Sequence, residues 1–165
     1  MASLLCLPHQ RNAQEYAVLI DKYNRIYNQE KLFFRILYSC SQRTLLYIYR
    51  PAMVASYVRR KDVADFLAQY GYPSSSVEDM LNHLSARFAL GGCFPHESGI
   101  FLGYPLEDVR GFITHKGNNA KLCGEWKVYG DVTAAARMFH AYHCCRQDYM
   151  NRFTLGTELK SLIVA

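Results

Sequence analysis

The side chains with the greatest potential for chemistry lie close together in the stretch from Cys93 to Glu97, which holds a Cys, a His and a Glu. A thiolate and an imidazole together can ligate a soft or borderline metal ion, or a haem iron. Cys123 lies further along the chain, just before a second predicted strand. If the two strands are neighbours, Cys93, His96 and Cys123 come together. The sequence therefore predicts a metal or haem site built from these three residues.

The leading hypothesis is a small binding or accessory protein with one concave site for a metal, haem or another iron-related cofactor. This site is bordered by the His96–Glu97 loop, Tyr104, the 117–124 turn and Trp126. Adjacent residues of a strand point to opposite faces, so His96 and Glu97 are not expected to act as one dyad. Only one of them can enter a cleft. The structural alternative is that His96 bonds to backbone and Glu97 pairs with a Lys or Arg.

A Cys–His pair also suits covalent catalysis. The alternative hypothesis is a hydrolase or transferase in which Cys123 or Cys93 is the nucleophile and His96 is the base.

A second group of metal-binding residue types lies on the last predicted helix. His140 and Cys144 are four residues apart and His140 and His143 three apart, so they can share a helix face, and the two ligands at i, i+4 form a workable half-site. The periodicity favours an ordinary amphipathic helix instead, with an apolar face that comprises Ala135, Met138, Tyr142, Cys145 and Tyr149.

Positive charge is concentrated in the first third of the chain. Residues 1–61 hold ten Lys/Arg and three Asp/Glu, against nine and eleven in residues 62–165. A basic surface can attract nucleic acid or an acidic partner protein. On the predicted hairpin, aromatic and basic side chains alternate in a way that can stack bases, namely Arg35, Arg43, Tyr47, Tyr49 and Arg50. The alternative is that the tyrosines are core residues beneath a basic outer face.

The elements that must position these residues predict an α+β fold with a small sheet of three to five strands and five or six helices. A helix is expected over 12–28, and a hairpin near 32–49. Further helices are expected from Pro51, from the Asp62 cap, and from a capping box of Ser75 with Glu78. Strands are expected near 98–104 and 125–129, joined by a helix that starts at Pro105, in what could be a parallel crossover. A last helix follows Asp131, and Gly156 ends it.

Length and composition predict a single domain over residues 1–165 of a cytoplasmic protein. No apolar run reaches membrane-spanning length, and the first residues lack the features of a signal peptide. The six cysteines include no CxxC pair and are expected to be free thiols.

Two motifs resemble an uncharacterised bacterial domain-of-unknown-function family that is common in anaerobic bacteria. The first runs Phe94-Pro95-His96-Glu97-x-Gly99-Ile100-Phe101-Leu102-Gly103-Tyr104-Pro105-Leu106-Glu107-Asp108-Val109. The second is Cys123-Gly124-x-Trp126-Lys127-Val128-Tyr129. The resemblance implies an intracellular single-domain protein of about this size, and it brings no established activity.

Overall fold

A computed structural model describes residues 2–8, 13–90 and 94–163. It divides the chain into two compact units, residues 1–104 and residues 105–165. Each unit has its own elements and its own buried residues. The α+β class is confirmed, and the prediction of one domain stays a prediction.

An antiparallel three-stranded sheet organises the first unit. Strand β1 spans Ser3–Pro8, β2 spans Phe33–Ser39 and β3 spans Arg43–Tyr49, in the order β1-β3-β2. The predicted hairpin is therefore confirmed. Strand β1 was not predicted, because its apolar residues do not alternate and its place depends on pairing with β3, where Ser3 faces Ile48.

Four helices complete the framework of the first unit: α1 (Ala13–Tyr27), α2 (Pro51–Val58), α3 (Lys61–Ala68) and α4 (Val77–Ala89). Helices α1 and α4 pack on β2. Pro51 is the first residue of α2, as predicted.

Two predicted helix caps are wrong. The N-cap of α3 is Arg60 rather than Asp62, which lies inside the first turn and pairs with the Arg60 guanidinium. Helix α4 is capped by Ser76, whose Oγ accepts a 3.0 Å hydrogen bond from the Asp79 amide, one residue after the predicted Ser75.

The predicted strand over 98–104 is also wrong. Residues His96–Ile100 form a short 3₁₀ helix, and the chain then turns at Gly103, where φ is +82°. Local bonds replace strand pairing, since the Phe101 amide donates to the Ser98 carbonyl and the Tyr104 amide to that of Gly99. The predicted parallel crossover over 98–129 is therefore excluded.

The second unit comprises a helix, a short hairpin, a long helix and a final 3₁₀ helix, Leu159–Leu162. Helix α5 spans Leu106–His115, strands β4 (Leu122–Cys123) and β5 (Lys127–Val128) pair antiparallel, and α6 spans Val132–Thr154. Of the strand predicted near 125–129, only β5 forms. The Asp131 cap is confirmed by a 2.9 Å bond from the Ala134 amide, and the chain leaves α6 at Gly156 with φ at +84°.

None of the described helices combines the length and apolar character that a bilayer crossing needs.

Candidate functional site

Glu97 is a buried anchor of the first unit, with 2% of its surface exposed. Its Oε1 accepts a 2.8 Å ionic hydrogen bond from Nε of Arg87 on α4 and a 3.3 Å bond from the Tyr72 hydroxyl. Burial, and then the Glu97 charge, raises the pKa of Tyr72. Glu97 therefore pairs with an Arg, which was the structural alternative for this residue.

His96 precedes Glu97 in the 3₁₀ helix and is exposed. Its ring centroid lies 5.8 Å from that of Phe94. His96 and Glu97 thus differ in exposure as predicted, although a 3₁₀ turn rather than strand alternation separates them.

A groove runs beside α2 in the first unit and continues to the turn that follows the 3₁₀ helix. Its inner part is a cavity of about 150 Å³ lined by Ala2, Met53, Val54, Tyr57, Ile100, Phe101 and Gly103. Its outer part is a shallow hollow of about 430 Å³ lined by Ala52, Met53, Ser56, Tyr57 and Arg60. Met53 and Tyr57 line both parts, so the two adjoin each other; we call them together the α2 groove.

The α2 groove is tied to the predicted site at Tyr104. The Tyr57 hydroxyl donates a 2.7 Å hydrogen bond to the Tyr104 carbonyl, which fixes the turn after the 3₁₀ helix against α2. The groove itself was not predicted. The available signal was Met53 and Tyr57, spaced four residues apart on a helix that is apolar on more than one face.

Asp108 is the corresponding anchor of the second unit and is 3% exposed. Its Oδ2 accepts a 2.7 Å bond from the Trp126 indole N–H, and its Oδ1 accepts backbone bonds of 2.7 Å from Tyr129 and 2.8 Å from Gly130. Trp126 is buried and packs edge-on against Phe139. The predicted ligand-binding Trp126 therefore uses its indole N–H to bond Asp108, a residue that the sequence indicated only as part of an acidic first turn.

Three glycines allow close packing in the second unit. A Cβ built on Gly111 would overlap the Tyr129 side chain, one on Gly124 the Phe139 ring, and one on Gly130 the Glu107 carboxylate.

The predicted set of Cys93, His96 and Cys123 falls on different parts of the chain. Cys93 lies outside the described residues, His96 lies in the first unit, and Cys123 is exposed at the end of β4 in the second. Over 2–8, 13–90 and 94–163, no three His, Cys, Asp or Glu side chains are grouped so as to hold a metal ion. Their convergence, whether for metal ligation or for Cys–His catalysis, stays a prediction.

The described cysteines are free thiols, as predicted: Cys6, Cys40, Cys123, Cys144 and Cys145. The environment of Cys40, at the turn between β2 and β3, lowers the pKa of its thiol. Backbone N–H groups of Gln42 and Arg43 are the main cause, because they stabilise the thiolate.

The hairpin does not present the predicted base-stacking surface. Tyr47 and Tyr49 are 1% and 6% exposed, and their rings stack on each other at 4.8 Å. Arg35 forms an ion pair with Glu78, and Arg50 donates to the Glu30 carbonyl. The alternative, in which the tyrosines belong to the core, is the one observed.

Comparison with known proteins identifies the family and nothing closer. No curated protein and no solved structure matches the chain significantly. The profile of one family, described as a protein of unknown function (DUF3793), matches residues 1–163. The chain belongs to this family of unknown function, which confirms the predicted resemblance to a domain of unknown function.

Proposed function

We propose that the chain is a small cytoplasmic bacterial binding or accessory protein, whose ligand is an apolar molecule with an anionic end that occupies the α2 groove. The observation that carries this proposal is an apolar cavity that adjoins a hollow lined in part by Arg60. A concave apolar site with a few polar groups at one end is the usual form of a small-molecule site.

The size of the cavity supports an apolar group as large as one ring. An enclosed apolar cavity of about 150 Å³ accepts a benzene-sized molecule, which gives the scale for this partly open one. Apart from the Tyr57 hydroxyl, which bonds the Tyr104 carbonyl, the side chains that line the cavity are apolar. A phenyl ring or a short acyl chain matches this volume and chemistry.

The outer hollow supports an acidic group next to the apolar one. Nε and one Nη of Arg60 bond Asp62, at 3.2 and 2.7 Å. A guanidinium has five N–H donors, so it can still bind a carboxylate or phosphate.

Haem is the iron-related ligand that we favour, with its macrocycle over the outer hollow, because only the edge of so large a ring system fits a cavity of about 150 Å³. It combines an apolar ring system with two carboxylates, and a Met thioether is one of the side chains that bind haem iron. Met53 lines both parts of the α2 groove and is 49% exposed. The free thiols agree with a reducing compartment such as the cytoplasm.

Titration of the full chain with 4-phenylbutyrate, followed by calorimetry, tests the groove. We expect binding that Arg60→Gln weakens about tenfold, equivalent to about 1.4 kcal/mol. Arg59→Gln is the matched control, because it removes the same charge from the neighbouring exposed residue. The neutral amide of the probe should bind the wild type as weakly as the acid binds Arg60→Gln. No binding of the acid, or equal losses in the two arginine variants, would reject the proposal.

Titration with haem tests the iron-related version separately. The Soret band of bound haem should change in Met53→Leu and stay unchanged in Met150→Leu, which alters an exposed methionine on α6. If haem fails to bind while 4-phenylbutyrate binds, the haem version is wrong and the groove proposal stands.

A further inference from the structure

Helix α6 carries a pair of metal-binding side chains that is independent of the α2 groove. Cys144 Sγ lies 3.5 Å from His140 Nε2, and both residues are exposed. The spacing of four residues places both on one face of the helix.

The separation of the two atoms equals one edge of a tetrahedral zinc site. Zinc binds imidazole nitrogen at about 2.0 Å and thiolate sulfur at about 2.3 Å, and tetrahedral angles then place the two ligand atoms about 3.5 Å apart. The pair therefore needs no rearrangement of the helix to chelate a zinc ion.

The helix itself cannot supply the remaining ligands. Asp148 follows on the same face, but one helical turn beyond Cys144, and the rise over eight residues from His140 is about 12 Å. Asp148 also pairs with Arg152 at 3.0 Å. Since the described residues contain no third ligand grouped with the pair, a complete site must take ligands from another molecule.

We propose that two copies of the chain bind one zinc ion between antiparallel α6 helices, each copy contributing His140 and Cys144. A two-fold axis through the metal then gives a tetrahedral site of two nitrogens and two sulfurs, a ligand set that is typical of structural zinc. Each Cys144 thiol releases its proton to solvent as its sulfur binds the metal.

The charges on the same face match this arrangement. Arg137 and Asp148 lie at nearly equal distances on either side of the pair, towards the same edge of the face, and both are exposed. Antiparallel pairing about the metal brings Arg137 of one copy opposite Asp148 of the other. Ala136, also exposed on this face, is small and allows a second helix to approach.

Zinc and cobalt titrations of the reduced full chain test this site. We expect one metal per two chains, a doubling of the mass in sedimentation, and for Co²⁺ the intense visible absorption of a tetrahedral site with thiolate ligands. Removal of zinc with EDTA should restore the metal-free mass. A ratio of one metal per chain, or metal binding without the tetrahedral spectrum, would overturn the proposal.

Variants of the exposed helix surface identify the ligands. Cys144→Ser and His140→Ala should each weaken metal binding at least about a hundredfold, because even loss of an outer partner costs 10–100-fold. Cys145→Ser and His143→Ala are the matched controls and should bind as the wild type does. If a control loses as much metal affinity as its counterpart, His140 and Cys144 are not the specific ligands, and the proposed site is rejected.

A charge exchange tests the antiparallel contact. Arg137→Glu should weaken the zinc-linked dimer, and the double variant Arg137→Glu, Asp148→Lys should recover it, while far-UV circular dichroism confirms that each variant is folded. Failure of the double variant to recover the dimer would exclude the antiparallel arrangement.

Discussion

Each unit is built around one buried carboxylate, and the two carboxylates are stabilised by different partners. Glu97 in the first unit is bonded by the Arg87 cation and the Tyr72 phenol. Asp108 in the second unit is bonded by one indole and two backbone N–H groups, all from residues 126–130. A single short hairpin can thus solvate a carboxylate with neutral donors, whereas Glu97 depends on a charge from another helix.

The two buried carboxylates also differ in which changes would destabilise them. Asp108 also lies in the first turn of α5, where the helix dipole favours a negative charge. Glu97 has Arg87 as its cationic partner, and the Arg87 side chain is 33% exposed. The first anchor is therefore sensitive to the loss of a charge, and the second to changes in hairpin geometry.

The largest expected effect is that of Arg87→Met, which leaves the Glu97 charge buried without its cation. Removal of one partner of a buried ion pair costs about 3–5 kcal/mol, and we expect about 3 kcal/mol here because the guanidinium is partly exposed. Urea unfolding followed by far-UV circular dichroism measures the loss. The double variant Arg87→Met, Glu97→Gln should recover more than half of the lost stability. A single-variant cost below about 1 kcal/mol would show that the ion pair is not an anchor.

Asp108→Asn should cost slightly less, about 2–3 kcal/mol, because the amide leaves at least one of the three donors without an acceptor. The chain has a single Trp, so the fluorescence of Trp126 reports on this site directly. We expect a red-shifted emission and a lower unfolding midpoint. Glu107→Gln is the matched control, since its carboxylate accepts only a long 3.4 Å exposed bond from the Asp131 amide. If both variants behave alike, Asp108 has no special role.

Alkaline pH should act on the Glu97 anchor through Tyr72. Because the pKa of Tyr72 is raised in the folded chain, its contribution to stability is complete below the unfolded pKa near 10 and is lost as pH rises above it. The loss per group is at most about 1.4 kcal/mol for each pH unit. Tyr72→Phe should therefore flatten the fall in stability between pH 10 and pH 11 as measured by urea unfolding. An unchanged slope would contradict the assignment.

The smallest effects concern the helix caps of the two units. Ser76→Ala on α4 and Asp131→Ala on α6 should each cost about 1 kcal/mol, because each side chain bonds a free amide of the first turn. Ser75→Ala should cost less than half as much, because Ser75 bonds only the exposed Asp79 carboxylate. Thermal unfolding measures the loss of stability in the three variants. An equal loss for Ser75→Ala and Ser76→Ala would contradict the assignment of Ser76 as the only cap of α4.

The sequence predicted those parts of the fold that depend on local signals. The hairpin, the helix start at Pro51 and the Asp131 cap each follow from residues within a few positions of one another. Strand β1 depends on a partner some 40 residues away, which no local pattern reveals. The 98–104 segment is apolar because it is buried, and burial alone does not distinguish a strand from a 3₁₀ turn.

The same limit applies to the candidate site. That Glu97 would pair with a cation could be inferred from residue type, but Arg87 could not be chosen from among the basic residues without the packing of α4. Asp108 and Trp126 lie 18 residues apart, and their hydrogen bond depends on how the hairpin folds back on α5. The α2 groove arises from three segments whose meeting no spacing rule predicts.

The close packing at Gly111, Gly124 and Gly130 also affects how variation in this family is to be interpreted. Replacement by alanine is a single-nucleotide change, yet at each of these positions the new methyl group would collide with an aromatic ring or a carboxylate. A deep mutational scan of the second unit should therefore find Gly111 and Gly124, which face aromatic rings, nearly as intolerant as a catalytic residue would be, and Gly130 less so, because the exposed Glu107 side chain can move aside. Invariance of glycine at these positions would reflect close packing, so invariance alone would not identify a catalytic residue.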